Sequence, residues 1–436
     1  MRNRVVAALA VLLAGACSSR QPNHEIKAAV DAVRAIDNHA HVVAPDLEHD
    51  TGYDALPCGG LPAATARPPA NLRFGPDLKS AWQALYGFAG ESDAPEIVRQ
   101  WQASQRSVRE KHGAEYFDWV LDQAGFDIAL ANRVSMPPAL DARHFRWVPY
   151  DDALLVPIDN SARKAENPDR KVLYEDEERL LKSYMSDAGI TSLPPTLDAY
   201  VTTILVPTLQ SQKSKGAVAI KFEVAYLRPL DFEIVPHDLA ADAYARSRRG
   251  SAISGPDYKA LQDFLFHEIA QRAGPLGLVI HIHTGAGCGE YFDVRGSDPL
   301  LLERMLDDPA LRATRFVLLH GGSPFERHNL SLIQKPNVWV DTSMLELMFS
   351  PTELARILRP WLEAMPEHVL FGTDAGPSGP GMGWEETTCM ASRRARQALT
   401  IALTEMVHDE VITAARAKEI AEAVLRSNAL ELYGWK

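Results

Sequence analysis

The stretch GLVIHIHTG, residues 277–285, combines an apolar run with two histidines at alternate positions. Successive side chains of a β-strand point to opposite faces of the sheet. The aliphatic residues at even positions therefore share one face, and His281 and His283 lie with Val279 on the other. The aliphatic face suits contact with a layer of helices. Both histidines are thus predicted to point away from the helices, towards the interior of the fold.

Seven more short apolar runs occur along the chain, separated by longer segments with helical periodicity. The eight runs are RAIDNHAHV (34–42), FDIALANRV (126–134), FRWVPYDDALLVPID (145–159), GAVAIKFEVAY (216–226), GLVIHIHTG (277–285), RFVLLHGG (315–322), NVWVDTS (337–343) and HVLFGTDAG (368–376). Strands that alternate with amphipathic helices form parallel βαβ units. Eight such units predict an α/β fold, a (β/α)8 TIM barrel.

The segments between these runs contain helical stripes and two long insertions. Leu261, Phe264, Leu265 and Ile269 form one apolar stripe, and the pair Gly274-Pro275 predicts the end of that helix. Residues 41–79 are rich in Pro and Gly, and residues 159–195 are strongly charged. Both insertions follow predicted strands, which places them in the loops on the catalytic face of a barrel.

Composition and the N-terminus restrict the class of protein. The net charge of −12 over 436 residues argues against nucleic acid and against anionic membrane surfaces as partners. Arg2 and Arg4 precede a short apolar run that ends just before Cys17, a pattern typical of a bacterial lipoprotein signal. The alternative is ordinary signal-peptide cleavage after the small residues at 14–16.

We therefore predict three segments: a signal peptide at 1–16, a lipidated Cys17 with a linker at 17–27, and a barrel at 28–436. The expected location is the bacterial cell envelope, either lipid-anchored and facing the periplasm or soluble in the periplasm. The only predicted membrane contact is the lipid on Cys17, because no other apolar run approaches the ~20 residues of a spanning helix. The oligomeric state is left open.

Three cysteines remain after Cys17, namely Cys58, Cys288 and Cys389. An exported compartment permits disulfides, so one bridge with one free thiol is possible and the pairing stays open. All three cysteines fall in segments that follow strands, and a bridge between two loops of the catalytic face is one alternative.

The C-terminal ends of the predicted strands carry side chains that bind metal ions. They are His39 and His41 in the first run, Lys221 in the fourth, His283 in the fifth, His320 in the sixth and Asp374 in the eighth. Each one alone is explained by a loop hydrogen bond or a helix cap. Their joint placement at one face of one barrel predicts a metal site, with zinc the first choice and Mn, Fe or Ni as alternatives.

These motifs, from the first-strand His-x-His to HTG, LLHGG and FGTD, resemble the amidohydrolase superfamily. The resemblance covers about residues 36–433 and is strongest to the amidohydrolase-related branch fused elsewhere to glutamine-synthetase-like domains. It implies that His39, His41 and Asp374 bind a divalent metal, with His283 as a further ligand. It also implies that His320 is a second ligand or a catalytic electrophile. Lys221 stands where binuclear members carry a carboxylated lysine, so one or two ions are possible.

The expected activity is that of a metal-dependent hydrolase acting on a C–N (amide-type) or ester bond of a small, anionic molecule. Such a metal lowers the pKa of water to roughly 7. Asp374 is expected to accept the proton and His320 to stabilise the oxyanion. Candidate substrate contacts are Tyr226, Arg228, His281 and Arg133, with Arg146 nearby. The alternatives are a non-oxidative decarboxylase on the same barrel and an inactive binding lipoprotein.

Overall fold

The computed structural model describes residues 23–43, 50, 52, 54, 61, 75–92, 94–379 and 381–435. The predicted signal peptide, Cys17 and Cys58 lie outside these residues.

The described residues form eight parallel strands arranged in one ring. They are β1 (Ala35–Ala40), β2 (Phe126–Asn132), β3 (Phe145–Val148), β4 (Ala219–Phe222), β5 (Val279–His283), β6 (Phe316–Leu319), β7 (Val338–Asp341) and β8 (Val369–Leu370). Strands β1 to β3 pair in sequence order, as do β4 to β8. A bridge between Tyr150 and Lys221 joins β3 to β4, and the backbone N–H of His41 donates to Ala375 O at 2.8 Å beside β8. The predicted (β/α)8 barrel is confirmed.

Helices surround this ring and fill the connections. They are α1 (His24–Ala32), α2 (Pro76–Tyr86), α3 (Pro95–His112), α4 (Tyr116–Ala124), α5 (Ser161–Lys164), α6 (Pro168–Asp187), α7 (Leu197–Tyr200), α8 (Val206–Ser214), α9 (His237–Arg248), α10 (Gly255–Leu276), α11 (Glu303–Leu306), α12 (Asn329–Leu332), α13 (Leu345–Met348), α14 (Pro351–Ala364), α15 (Trp384–His408), α16 (Ala414–Glu422) and α17 (Asn428–Tyr433).

The alternation along β5 separates two apolar layers. Ile280 and Ile282 pack in the cluster that contains Leu261 of α10, outside the ring. Val279 lies in another cluster, whose members come from seven strands and against which Trp339 of β7 packs; this cluster therefore fills the barrel interior. The histidines that share the face of Val279 consequently point inward, as the sequence predicts.

Two boundaries differ from the sequence prediction. Helix α10 continues through Gly274-Pro275 and ends at Leu276, where Gly277 adopts φ 65°. Gly274 packs closely on Ala313: a Cβ at 274 would lie 2.8 Å from the Ala313 carbonyl oxygen, so tertiary contact holds the last turn in place. Helix α1 begins at His24, inside the segment predicted as linker.

The insertion at 159–195 folds into α5 and α6 and packs on the barrel, where the Tyr184 hydroxyl donates to the Tyr150 carbonyl. In the loop after β5, Cys288 is disulfide-bonded, and Cys389 is a free thiol. None of the described helices combines the length and apolarity needed to cross a bilayer.

Candidate metal centre

Three side chains from opposite ends of the sequence meet at the C-terminal edge of the barrel. Nε2 of His39 lies 3.0 Å from Oδ1 of Asp374, and Nε2 of His41 lies 3.2 Å from the same oxygen. His39 is on β1, His41 follows it directly, and Asp374 follows the neighbouring β8. The adjacency of the first and last strands in a closed barrel produces this arrangement.

Hydrogen bonds on the far side of each imidazole leave Nε2 directed at the centre. Nδ1 of His39 lies 3.1 Å from Oδ1 of Asn132, an acceptor, so Nδ1 carries the proton and Nε2 has a free lone pair. Nδ1 of His41 faces the Tyr150 hydroxyl at 3.2 Å and Oδ2 of Asp54 at 3.6 Å. Such partners orient histidine ligands and increase their basicity.

His320 joins this group from the end of β6. Ligand atoms of His39, His320 and Asp374 all lie within 4.8 Å of one another. Nδ1 of His320 lies 2.9 Å from Ser343 Oγ, which itself donates to Asp341 at 2.7 Å. His320 Nδ1 must therefore donate to Ser343, which leaves Nε2 as a lone-pair donor. A neutral His320 in this tautomer is suited to be a ligand.

The backbone at His320 and Asp374 adopts the left-handed region, with φ of 66° and 55°. Side chains other than glycine rarely occupy this region, and such strain concentrates at functional sites. The His320 N–H donates to Asp341 at 2.9 Å, and the Asp374 N–H donates to the His39 carbonyl at 2.8 Å. These bonds hold both side chains at the centre.

The ionisation of the group also suits metal binding. Burial, together with the charge of Lys221, lowers the pKa of His39 to about 3, and burial holds the pKa of His320 well below its usual range. Burial alone would raise the pKa of Asp374, but His320, His39 and His41 keep it well below its usual range. Neutral imidazoles around an ionised carboxylate are the forms that bind divalent ions.

His41 differs from the other histidines. Burial alone would lower its pKa, but the carboxylates of Asp54 and Asp374 raise the pKa to about 9. A metal ion at this centre would have to displace that proton.

The donor set fits the expected divalent ion. Nε2 of His39 and Nε2 of His41 lie 3.0 and 3.2 Å from one carboxylate oxygen of Asp374, and a ligand atom of His320 lies within 4.8 Å of those of His39 and Asp374. Imidazole nitrogens and carboxylate oxygens are the donors that zinc sites use. His39, His41, His320 and Asp374 would hold the ion. His283 lies beside His320, with ring centroids 4.5 Å apart, but its Nε2 donates to the Ala286 carbonyl at 3.0 Å.

Lys221 lies at the inner edge of the group and is fully buried. Its Nζ is 3.5 Å from Nε2 of His39 and 3.7 Å from Oε1 of Glu223. This placement fits either a carboxylated Lys221 of a binuclear site or an uncarboxylated ammonium paired with Glu223.

The candidate substrate contacts differ in how far the protein already engages them. Tyr226 is half-buried beside His283, with ring centroids 4.8 Å apart. Arg133 donates to Asp50, Val42 and Ser135, so its guanidinium is held by residues near the end of β1 and β2. Arg228 pairs with Asp263 and stacks over Phe232, so its guanidinium is engaged within the protein.

Two other candidates contact the C-terminal segment. His281 is fully buried, and its Nε2 is 2.7 Å from the Tyr433 hydroxyl in the barrel interior. Arg146 stacks over the Trp435 ring, 5.3 Å from its centroid. Both side chains are thus engaged within the protein.

The sequence analysis missed several residues that orient the centre. Asn132 ends β2, Asp341 ends β7, and Ser343 follows it, all fully buried. Each of them is a polar residue at or just after the end of an apolar run. The same sequence pattern identified His320 and Asp374, so it could have identified these residues as well. Asp54, inside an insertion without periodicity, had no such signal.

Comparisons with known proteins bear on this geometry. The family described as Amidohydrolase matches residues 241–435. This part of the chain is similar to the amidohydrolase family. The matched part contains His283, His320 and Asp374, and the structure brings His39, His41 and Lys221 to them from outside it. No curated protein matches the sequence.

Solved structures share the fold over nearly the whole chain. A Lactobacillus casei protein described as a metal-dependent hydrolase is 16% identical, with a TM-score of 0.64 and coverage of 94% of this chain and 97% of its own. Uronate isomerase from Thermotoga maritima is 13% identical, with a TM-score of 0.62 and coverage of 94% and 96%. Glucuronate isomerase from Caulobacter crescentus is 12% identical, with a TM-score of 0.57 and coverage of 94% and 93%. The glutamine-synthetase-associated branch stays a prediction.

Proposed function

We propose that this amidohydrolase-type enzyme hydrolyses a C–N (amide-type) or ester bond of a small molecule, with a divalent ion as cofactor. The observation that carries the proposal is the convergence of His39 and His41 on one oxygen of Asp374, with His320 in range. Zinc is the first candidate, because imidazole and carboxylate donors suit it.

When bound, the ion supplies a Lewis acid that polarises a carbonyl and acidifies water. Asp374 is the ionised carboxylate at the centre and, with 21% of its side chain exposed, can accept a proton from the attacking water. The same carboxyl can then deliver that proton to the leaving amine or alkoxide. His39 and His41, held by Asn132 and by Tyr150, keep Asp374 oriented for both transfers.

The charges around the centre favour an uncharged substrate over the anionic one expected from the sequence. Arg133 and Arg228 are engaged by protein carboxylates, and Lys221 is fully buried beside Glu223. A substrate carboxylate would therefore find these cations already paired within the protein.

The test is to purify the mature chain, load it with Zn²⁺ and assay a panel of amides, esters and carboxylic acids. Release of amine, alcohol or acid by the wild type, abolished in His39→Ala, would support hydrolysis. Release of CO₂ without hydrolysis would replace the proposal with the decarboxylase. A wild type that binds no Zn²⁺ would refute both and leave a binding protein.

We also propose that the enzyme acts in the cell envelope. The support is the sequence of residues 1–17, with Arg2 and Arg4 before an apolar run and Cys17 at its end. Cys17→Ser tests the lipid anchor: the variant should be released from the membrane fraction, in which the wild type should be retained.

A further inference from the structure

The C-terminal segment closes the floor of the barrel beneath the metal centre. Leu432 and Ala429 of α17 are buried in the cluster that fills the barrel interior. The Asn428 side chain donates to the carbonyls of Pro366 and Val369, both at 2.8 Å, which ties α17 to β8. Tyr433, at the end of α17, stacks on Trp435 with ring centroids 4.7 Å apart.

A continuous series of hydrogen bonds runs from this floor to the centre. Nε2 of His281 lies 2.7 Å from the Tyr433 hydroxyl, and that hydroxyl donates to Oδ1 of Asn38 at 2.6 Å. The Asn38 amide donates to Oδ2 of Asp341 at 3.1 Å. The other oxygen of Asp341 accepts from the Ser343 hydroxyl and the His320 N–H.

The direction of every bond follows from its neighbours. Asp341 accepts from the Asn38 amide, so the Asn38 oxygen must face Tyr433 and accept. The single Tyr433 proton is used there, and His281 Nε2–H therefore donates to the Tyr433 oxygen. All donors in the series thus point towards the Asp341 carboxylate, and bonds so aligned strengthen one another in a buried site.

Asp341 in turn sets the orientation of His320. It accepts the His320 backbone N–H at a residue held in the left-handed region, and it orients Ser343, whose oxygen accepts from Nδ1. Without these acceptors neither the backbone conformation nor the tautomer of His320 would be fixed.

We propose that Tyr433 is a positioning residue for the metal centre. Its hydroxyl, through Asn38 and Asp341, holds His320 with Nε2 available as a ligand, so the centre is complete only when the C-terminal segment is docked. This inference depends on a metal at His39, His320 and Asp374, the site of the proposed function, and not on the bond that is hydrolysed.

The test is Co²⁺ titration of the metal-free mature chain, followed by the visible absorption of bound Co²⁺. Tyr433→Phe removes the hydroxyl and keeps the ring. We expect Co²⁺ affinity to fall about tenfold, which is the lower end of the loss caused by substituting residues that orient metal ligands. The visible absorption band of bound Co²⁺ should change as well. Unfolding in denaturant is measured in parallel to separate affinity from stability.

Trp435→Phe is the matched control, because it disturbs the ring stacked on Tyr433 and leaves the hydrogen-bonded series intact. Equal loss of affinity in this control, or unchanged Co²⁺ affinity in Tyr433→Phe despite lower stability, would overturn the proposal. Asn38→Leu breaks the link between Tyr433 and Asp341 and decides the matter if Tyr433→Phe does not fold: weaker binding supports the proposal and unchanged binding overturns it. A wild type that binds no Co²⁺ would refute the metal centre itself.

Discussion

Asp151 is a buried carboxyl whose ionisation opposes folding. It follows β3, is fully buried, and accepts a hydrogen bond from Gln212 Nε2 at 2.6 Å, while its Oδ2 has no partner. Burial raises its pKa from 3.8 to about 7, although the Gln212 hydrogen bond acts in the opposite direction. The folded state therefore binds this proton more tightly than the unfolded chain does.

The contribution of Asp151 to stability is fully present below about pH 4 and is lost as the pH rises to about 7. At 1.36 kcal/mol per pKa unit, the gap between 3.8 and about 7 corresponds to at most about 4 kcal/mol above pH 7. Asp151→Asn keeps the acceptor for Gln212 and does not titrate. We expect the variant to exceed the wild type by about 1 kcal/mol near pH 4.5 and by up to about 4 kcal/mol at pH 8.5.

Urea unfolding at the two pH values measures this difference, with Asp187→Asn as the control. Asp187 is 59% exposed and lies 3.4 Å from Lys215, so its substitution should change the free energy of unfolding by less than about 1 kcal/mol at either pH. An Asp151→Asn variant whose difference from the wild type is the same at both pH values would refute the reasoning.

Two other predictions concern the centre. Asp374→Asn should weaken Zn²⁺ binding by about a hundredfold or more, roughly the upper end of the loss seen for a ligand's supporting groups. Retention of zinc after dialysis, measured by elemental analysis, would contradict this prediction. Carboxylation of Lys221 would place a negative charge beside Glu223, which lies 3.7 Å away, so we expect Lys221 to stay uncarboxylated and the chain to bind about one metal equivalent. Two equivalents per chain in bicarbonate buffer would disprove this expectation.

The centre was largely predictable because barrel strands end at one face. The positions of His39, His41, Lys221, His320 and Asp374 at strand ends follow from local periodicity, and closure of the ring brings them together. The substrate contacts were not predictable in the same way. Whether an arginine is free or paired depends on which acid packs against it, as Asp263 does with Arg228 from 35 residues away.

The sequence by itself determined the eight strands and the face on which each histidine lies, because these depend on spacing between neighbours in the chain. The tertiary structure alone decided which nitrogen of each imidazole is free, since that depends on Asn132, Tyr150 and Ser343 from other strand ends. It also decided that Tyr433, 395 residues from Asn38, reaches the floor of the centre. Hydrogen bonds of this range arise only when the ring closes, and no local pattern encodes them.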